Sequence, residues 1–117
     1  MATYAALLYY TRDYDWTAPE LSETMGEYAA FGEAAGQVIQ GGAALQPTTT
    51  ATTVAVTGGK GGDVVIGDGP FAEVKEVLGG FYLLEAADLD EAIGWAQQIP
   101  AAWECKVERR PVSPMAG

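Results

Sequence analysis

The sequence predicts an α+β fold, an antiparallel sheet covered on one face by two helices, and three observations predict it. Two segments of helical periodicity each lie between apolar or β-branched runs, so the chain reads strand, helix, strand twice over. A glycine-rich turn between two short Val- and Thr-rich runs inserts a hairpin between those halves. At 117 residues, 49% hydrophobic and 19% charged, the chain has room for a single core. One domain is expected over residues 1–112, with a loose tail at 113–117.

Residues 3–10 are rich in aromatic and aliphatic side chains and stop at Arg12-Asp13, as a largely buried first strand does. Thr17 with Glu20 three places on is a capping-box pattern, and Pro19 suits a first helical turn, so a helix is expected to begin there. Leu21, Met25, Tyr28, Gly32 and Ala35 form its apolar stripe, and Gly36 is placed to end it in the left-handed conformation. Residues 38–45 read as a second strand bent or bulged at Gly41-Gly42 and closed by Gln46-Pro47.

Residues 50–57 alternate in part, which predicts a half-buried strand, and residues 63–66 return antiparallel to it across Gly58-Gly59-Lys60-Gly61-Gly62. A short polar piece at 72–77 follows Gly67-Asp68-Gly69-Pro70-Phe71, and Gly79-Gly80 restarts the chain into a strong central strand at 81–85. Asp88 with Glu91 opens a second helix whose stripe is Leu89, Ala92, Ile93, Ala96 and Ile99 and whose end is Pro100. In the last strand, 105–110, Cys105, Val107 and Arg109 alternate with Lys106, Glu108 and Arg110. The order is that of a split βαβ, ferredoxin-like sheet with an inserted hairpin. Its second face needs a cover, and six tyrosines, three tryptophans and three phenylalanines in so short a chain point to a second subunit as that cover.

Composition excludes several chemistries. The chain has no histidine, no asparagine, one cysteine and two serines, so it holds no Ser-His-Asp triad, no Cys-His pair, no Cys/His zinc site and no internal disulfide. The formal net charge of −10 repels polyanions, which argues against direct binding of DNA or RNA. The basic cluster at 106–110 reads as a charge-protected edge strand. No signal peptide or spanning segment is evident, so a cytoplasmic protein without membrane contact is expected, and Cys105 reads as a small core-facing residue.

Three motifs are decoys. Gly67-x-Gly69-x-x-Ala72 matches a relaxed dinucleotide fingerprint, but too few residues precede Gly79 for a crossover helix. Gly59-Lys60-Gly61 lacks the hydroxyl residue and helix of a phosphate loop. Asp88, Asp90 and Glu91 are explained by capping and the helix dipole and not by a cation. No cofactor and no metal are expected.

Several blocks in one order resemble the YCII-related proteins of the DGPF type: Gly41-Gly42 with Leu45 and Pro47, Thr50-Ala51-Thr52-Thr53-Val54, Asp68-Gly69-Pro70-Phe71-Ala72-Glu73 with Lys75-Glu76, Leu78-Gly79-Gly80-Phe81-Tyr82, Asp88-Leu89-Asp90-Glu91-Ala92 with Trp95-Ala96 and Ile99-Pro100, and Val107 to Val112. The resemblance implies ferredoxin-like domains that pair as dimeric α/β barrels. It also implies a family that is mostly uncharacterised, with members associated with sigma factors of the extracytoplasmic-function class and some relatives that are small enzymes such as a dehydrochlorinase. The His-Asp pair suspected in the better-studied branch has no counterpart here, because the chain lacks histidine.

Asp68, between two glycines and near Pro70, is the first candidate for a site. Its structural reading is a turn residue bonding the following amides while Gly69-Pro70 seats Phe71 in the core. Tyr9, Tyr10, Glu73, Lys75 and Arg109 are candidates to line a ligand pocket. Two functional classes follow: a homodimeric small-molecule-binding or accessory module, with a protein partner in transcription initiation, and a small lyase or isomerase using Asp68 as base with Tyr82, Tyr9 or Tyr10 as hydrogen-bond donor.

Overall fold

The computed structural model describes residues 2–70 and 74–113, so the expectations for Phe71, Glu73 and the tail from residue 114 onward lie outside the described residues. Its elements are β1 (Ala2–Thr11), α1 (Leu21–Ala34), β2 (Ile39–Ala44), β3 (Thr52–Thr57), β4 (Asp63–Asp68), β5 (Glu76–Ala86), α2 (Leu89–Ala96), α3 (Ala101–Glu104) and β6 (Lys106–Pro111). Four strands form an antiparallel sheet in the order β2-β5-β1-β6, and β3 and β4 form a separate two-stranded sheet. This is the expected ferredoxin-like order with its inserted hairpin.

The pleat of β1 sets the layers. Tyr4, Ala6, Leu8 and Tyr10 are buried and alternate with Thr3, Ala5, Leu7 and Tyr9, which are only partly covered. Ala6, Leu8 and Tyr10 meet Phe31 and Ala35 of the first helical segment, Leu84 of β5, Ile99 before α3 and Ala101 at its start. A smaller cluster of Tyr4, Ala86 and Ala92 fixes α2 to the sheet. The molecule measures 47 × 41 × 19 Å, thin because helices cover one face of the sheet only.

Local chemistry explains where the elements depart from expectation. The Thr17 capping box does not form: the Thr17 amide and hydroxyl both donate to Asp15 Oδ1, at 2.9 and 2.6 Å, and α1 starts at Leu21. A carboxylate two residues away closes an Asx-type turn before the helix can use the threonine. At the other end, Gly36 does not adopt a positive φ, and Ala35 caps the helix through its amide to Phe31 O at 2.8 Å. The buried stripe of α1 is Thr24 and Phe31 with Tyr28 beside them, while Met25 is 50% exposed.

By contrast, the second cap forms as expected. Asp88 accepts the Glu91 amide at 2.9 Å, and Glu91 reaches back to the Ala87 amide at 3.3 Å. In α2 only Ala92 and Ala96 are buried, and Leu89 and Ile93 face outward. Thr48–Thr50 turn as a 3-10 segment, so β3 begins at Thr52 and is mostly exposed instead of half-buried, and β4 runs on to Asp68. Cys105 lies just outside β6, half-buried.

Glycines decide the geometry at two places. In β2 the register shifts between Ile39 and Gly41, and Gly42 has φ +154°, with the Phe81 carbonyl where a side chain would stand. In β5 the sequence suggested a break at Gly79-Gly80, but both residues lie inside the strand. The register against β1 slips between Leu8 and Tyr9, and a Cβ on Gly79 would stand 2.6 Å from Cδ2 of Tyr10. The Tyr10 ring takes the place of that missing side chain. Gly79→Ala is therefore expected to destabilise the fold by about 1–3 kcal/mol through overpacking. Urea unfolding would check this, and native stability in the variant would show that the ring is not seated there.

Candidate functional site

A cavity of about 360 Å³ opens between α1 and the sheet beside this bulge. Its sheet wall is built from Leu8, Tyr10, Gly79, Gly80, Phe81 and Tyr82 with the 42–45 stretch that includes β2, and its outer wall from Trp16, Met25 and Tyr28. Small residues make the floor: Gly42, Ala43, Ala44, Gly79 and Gly80 let β2 and β5 run close, and a Cβ on Gly80 would stand 2.9 Å from the Ala43 carbonyl.

The polar end of the cavity is a pair of phenols, with the hydroxyls of Tyr10 and Tyr28 in hydrogen-bond contact. Behind them Glu104 accepts from the Tyr14 hydroxyl at 3.1 Å and from the Thr24 hydroxyl at 2.8 Å, which ties α1 to the end of α3. Tyr10, Tyr14 and Trp16 pack as a cluster with centroids 4.6 to 5.1 Å apart, and Phe31 meets Tyr82 edge-on at 5.1 Å.

Electrostatics keep these phenols neutral. Burial pushes Tyr10 and Tyr82 above the ordinary tyrosine range. Tyr28 is raised further, by burial first and then by its bond to Tyr10. Burial and then the Glu104 carboxylate push Tyr14 up to about 12. At neutral pH the pair serves as hydrogen-bond donor and acceptor and not as a base. Among the described residues the cavity walls carry no carboxylate, amine or thiol.

The chain matches the YCII-related domain over residues 2–116. It belongs to the YCII-related family. An uncharacterized protein of Rhizobium meliloti (strain 1021) is 47% identical over 60 residues, which take in 51% of this chain and 46% of that protein. The chain thus matches about half the length of that curated relative. Among solved structures, 5-chloro-2-hydroxyhydroquinone dehydrochlorinase from Burkholderia phenoliruptrix AC1100, in complex with 2,5-dihydroxybenzoquinone, aligns with a TM-score of 0.48 and 17% identity, over 95% of this chain and 93% of that one.

Within this YCII-related chain the sequence candidates fall into three groups. Tyr10 and Tyr82 share the aromatic cavity. Tyr9, Lys75 and Arg109 line a wider groove of about 940 Å³ along β6, with Glu76, Cys105 and Lys106. There Glu76 accepts from Lys106 Nζ at 2.7 Å and from Cys105 Sγ at 3.1 Å, and Arg109 stacks 5.3 Å from the centre of the Tyr4 ring. Burial, then Glu76, raises the Cys105 thiol, which leaves it weakly nucleophilic at neutral pH. Asp68 stands exposed at the end of β4, opposite Thr52, and lines neither space.

Around Asp68 the bonds made among the described residues run through the backbone of its neighbours. The Gly69 amide donates to the Ala51 carbonyl at 2.7 Å, the Thr53 hydroxyl donates to the Gly69 carbonyl at 2.9 Å, and Gly69 holds φ +94°. Glu73 lies outside the described residues. Among the described residues no helix is long and apolar enough to cross a membrane, and no cluster of three His, Cys, Asp or Glu side chains is placed to hold a metal.

Tyr28 and Trp16 were not singled out from sequence as site residues. Tyr28 did stand on the apolar stripe of the first helix, and a hydroxyl on such a stripe marks a buried polar group that needs a partner. Because the folded values of Tyr10, Tyr14, Tyr28 and Tyr82 all lie above the ordinary tyrosine value of 10.0, their protonated forms favour the native state as the unfolded chain begins to ionise. Stability is expected to be intact below pH 10.0 and to fall as pH rises through the folded values, including about 12 for Tyr14. Tyrosinate absorbance and circular dichroism should change together in an alkaline titration. Ionisation of all six tyrosines before any loss of structure would contradict this.

Proposed function

We propose that this YCII-related protein is a homodimeric small-molecule-binding module of the DGPF type, with a compact, neutral, ring-containing ligand held between α1 and the sheet. The observation that carries the reading is the make-up of the cavity: aromatic and aliphatic walls, the neutral phenols of Tyr10, Tyr28 and Tyr82, and no charged group among the described residues that line it. At about 360 Å³ it lies at the small end of ligand sites, and its polar pair can exchange a hydrogen bond with one oxygen or nitrogen of a ring substituent. The same geometry favours binding over the lyase or isomerase reading. In that reading Asp68 takes a proton beside Tyr82, whereas Asp68 stands outside the cavity that Tyr82 lines.

The dimer rests on the second face of the sheet. Ala5, Leu7, Phe81 and Leu83 are only partly covered there, and Leu78, opposite Tyr9, is 39% exposed. A second copy covers that face, as in a dimeric α/β barrel. Any part in transcription initiation beside a sigma factor would run through a protein partner, because a net charge of −10 repels nucleic acid.

Thermal shift with phenol, indole, toluene and benzoate tests the ligand class. Phenol and indole are expected to raise the melting temperature, toluene less, and benzoate not at all, since a carboxylate has no cationic partner in the cavity. Tyr28→Phe should remove the preference for phenol over toluene while costing about 1 kcal/mol of stability. Stabilisation by benzoate with none from phenol would sink the neutral-ligand reading.

A further inference from the structure

The β3–β4 hairpin stands away from the core as a two-stranded sheet of its own. Its register pairs Val54 with Ile66 and Val56 with Val64, so four β-branched side chains share one face, and they are between 49% and 67% exposed. The other face is mixed: Thr53, Ala55, Thr57, Asp63 and Gly67 surround Val65. A hairpin of two strands is marginal in water without a surface to pack on. The projecting arm also shows in the radius of gyration, 16.5 Å, where a compact chain of this length has about 13 Å.

We propose that the valine face of this arm packs on the open sheet face of a second copy, so that each protomer of a symmetric dimer reaches across its partner. This rests on the homodimer of the proposed function and goes beyond it by naming the arm as the clamp. The chain itself supplies an apolar surface: Ala5, Leu7, Phe81 and Leu83 present a partly uncovered sheet centre of the kind that packs face to face with another, flanked on β6 by Arg110, Glu108 and Lys106 opposite Ala5, Leu7 and Tyr9. A two-fold axis satisfies both arms and both open faces at once, which a single unrelated partner does not.

Sedimentation velocity and hydrogen exchange on the full chain test the proposal. The unmodified protein should be a dimer at micromolar concentration, with the amides of β3 and β4 protected in the dimer and exposed on dilution. The double variant Val64→Lys with Ile66→Lys alters exposed positions only, so it should keep its far-ultraviolet spectrum while the dimer constant weakens by about tenfold or more. Val65→Lys, on the opposite face, should leave the dimer unchanged. Leu83→Lys probes the open face independently of the arm. If Leu83→Lys breaks the dimer but the double variant does not, or if the arm amides exchange freely within an intact dimer, the arm is no clamp and the sheet-face dimer alone survives. A monomeric unmodified protein overturns both and leaves the arm to a different partner.

Discussion

The ring of Tyr10 lies over Gly79, where β5 carries no side chain, and the geometry of the candidate site depends on that seat. The bulge at this point lets β1 and β5 stay paired while one glycine is looped past the register. With the ring pressed against the strand, the Tyr10 hydroxyl reaches Tyr28 on α1, and the helix is held off the sheet by the two phenols instead of collapsing onto it. The gap that remains beside the pair is the cavity. A larger residue at Gly79 would displace the ring, and with it the polar end of the site.

What the site can do follows from which groups are near it and which are kept away. Glu104 acts on the phenol pair from behind, and the hydroxyls of Tyr14 and Thr24 occupy both of its oxygens. Glu76 is committed to Lys106 and Cys105 in the groove along β6. Among the described residues the cavity wall is thus neutral in a chain of net charge −10, and an unpaired charge buried there would be costly. The same acidity makes association between copies costly unless the contact is largely apolar, which suits the apolar centre of the open face and the valine face of the arm.

The sequence made the strand order legible, because alternation, turn glycines and the Asp88–Glu91 cap are local signals. The identical pattern at Thr17–Glu20 misled, since Asp15 stood close enough to take the Thr17 amide and hydroxyl first. The stripe of α1 was ambiguous at a spacing of three or four. Thr24 turned inward and Met25 outward because Glu104, 80 residues away, accepts the Thr24 hydroxyl, and no local rule contains that contact. Gly79-Gly80 looked like a break for the same reason: the need for glycine comes from a ring on another strand. Tyr10 and Tyr82 could be picked out as strand tyrosines, whereas Tyr28 became a site residue only once folding set its hydroxyl against that of Tyr10, 18 residues earlier.

The central claim is that the space beside the Tyr10–Tyr28 pair is where a small ring binds, and the most direct measurement is isotope-filtered NMR on protein labelled in its tyrosine rings, with phenol added. The account predicts intermolecular contacts from the phenol ring to Tyr10, Tyr28 and Tyr82 and none to Tyr4, which lies in the separate cluster against α2. Contacts to Tyr9 and Tyr4 without any to Tyr28 would place binding in the groove along β6 and contradict it.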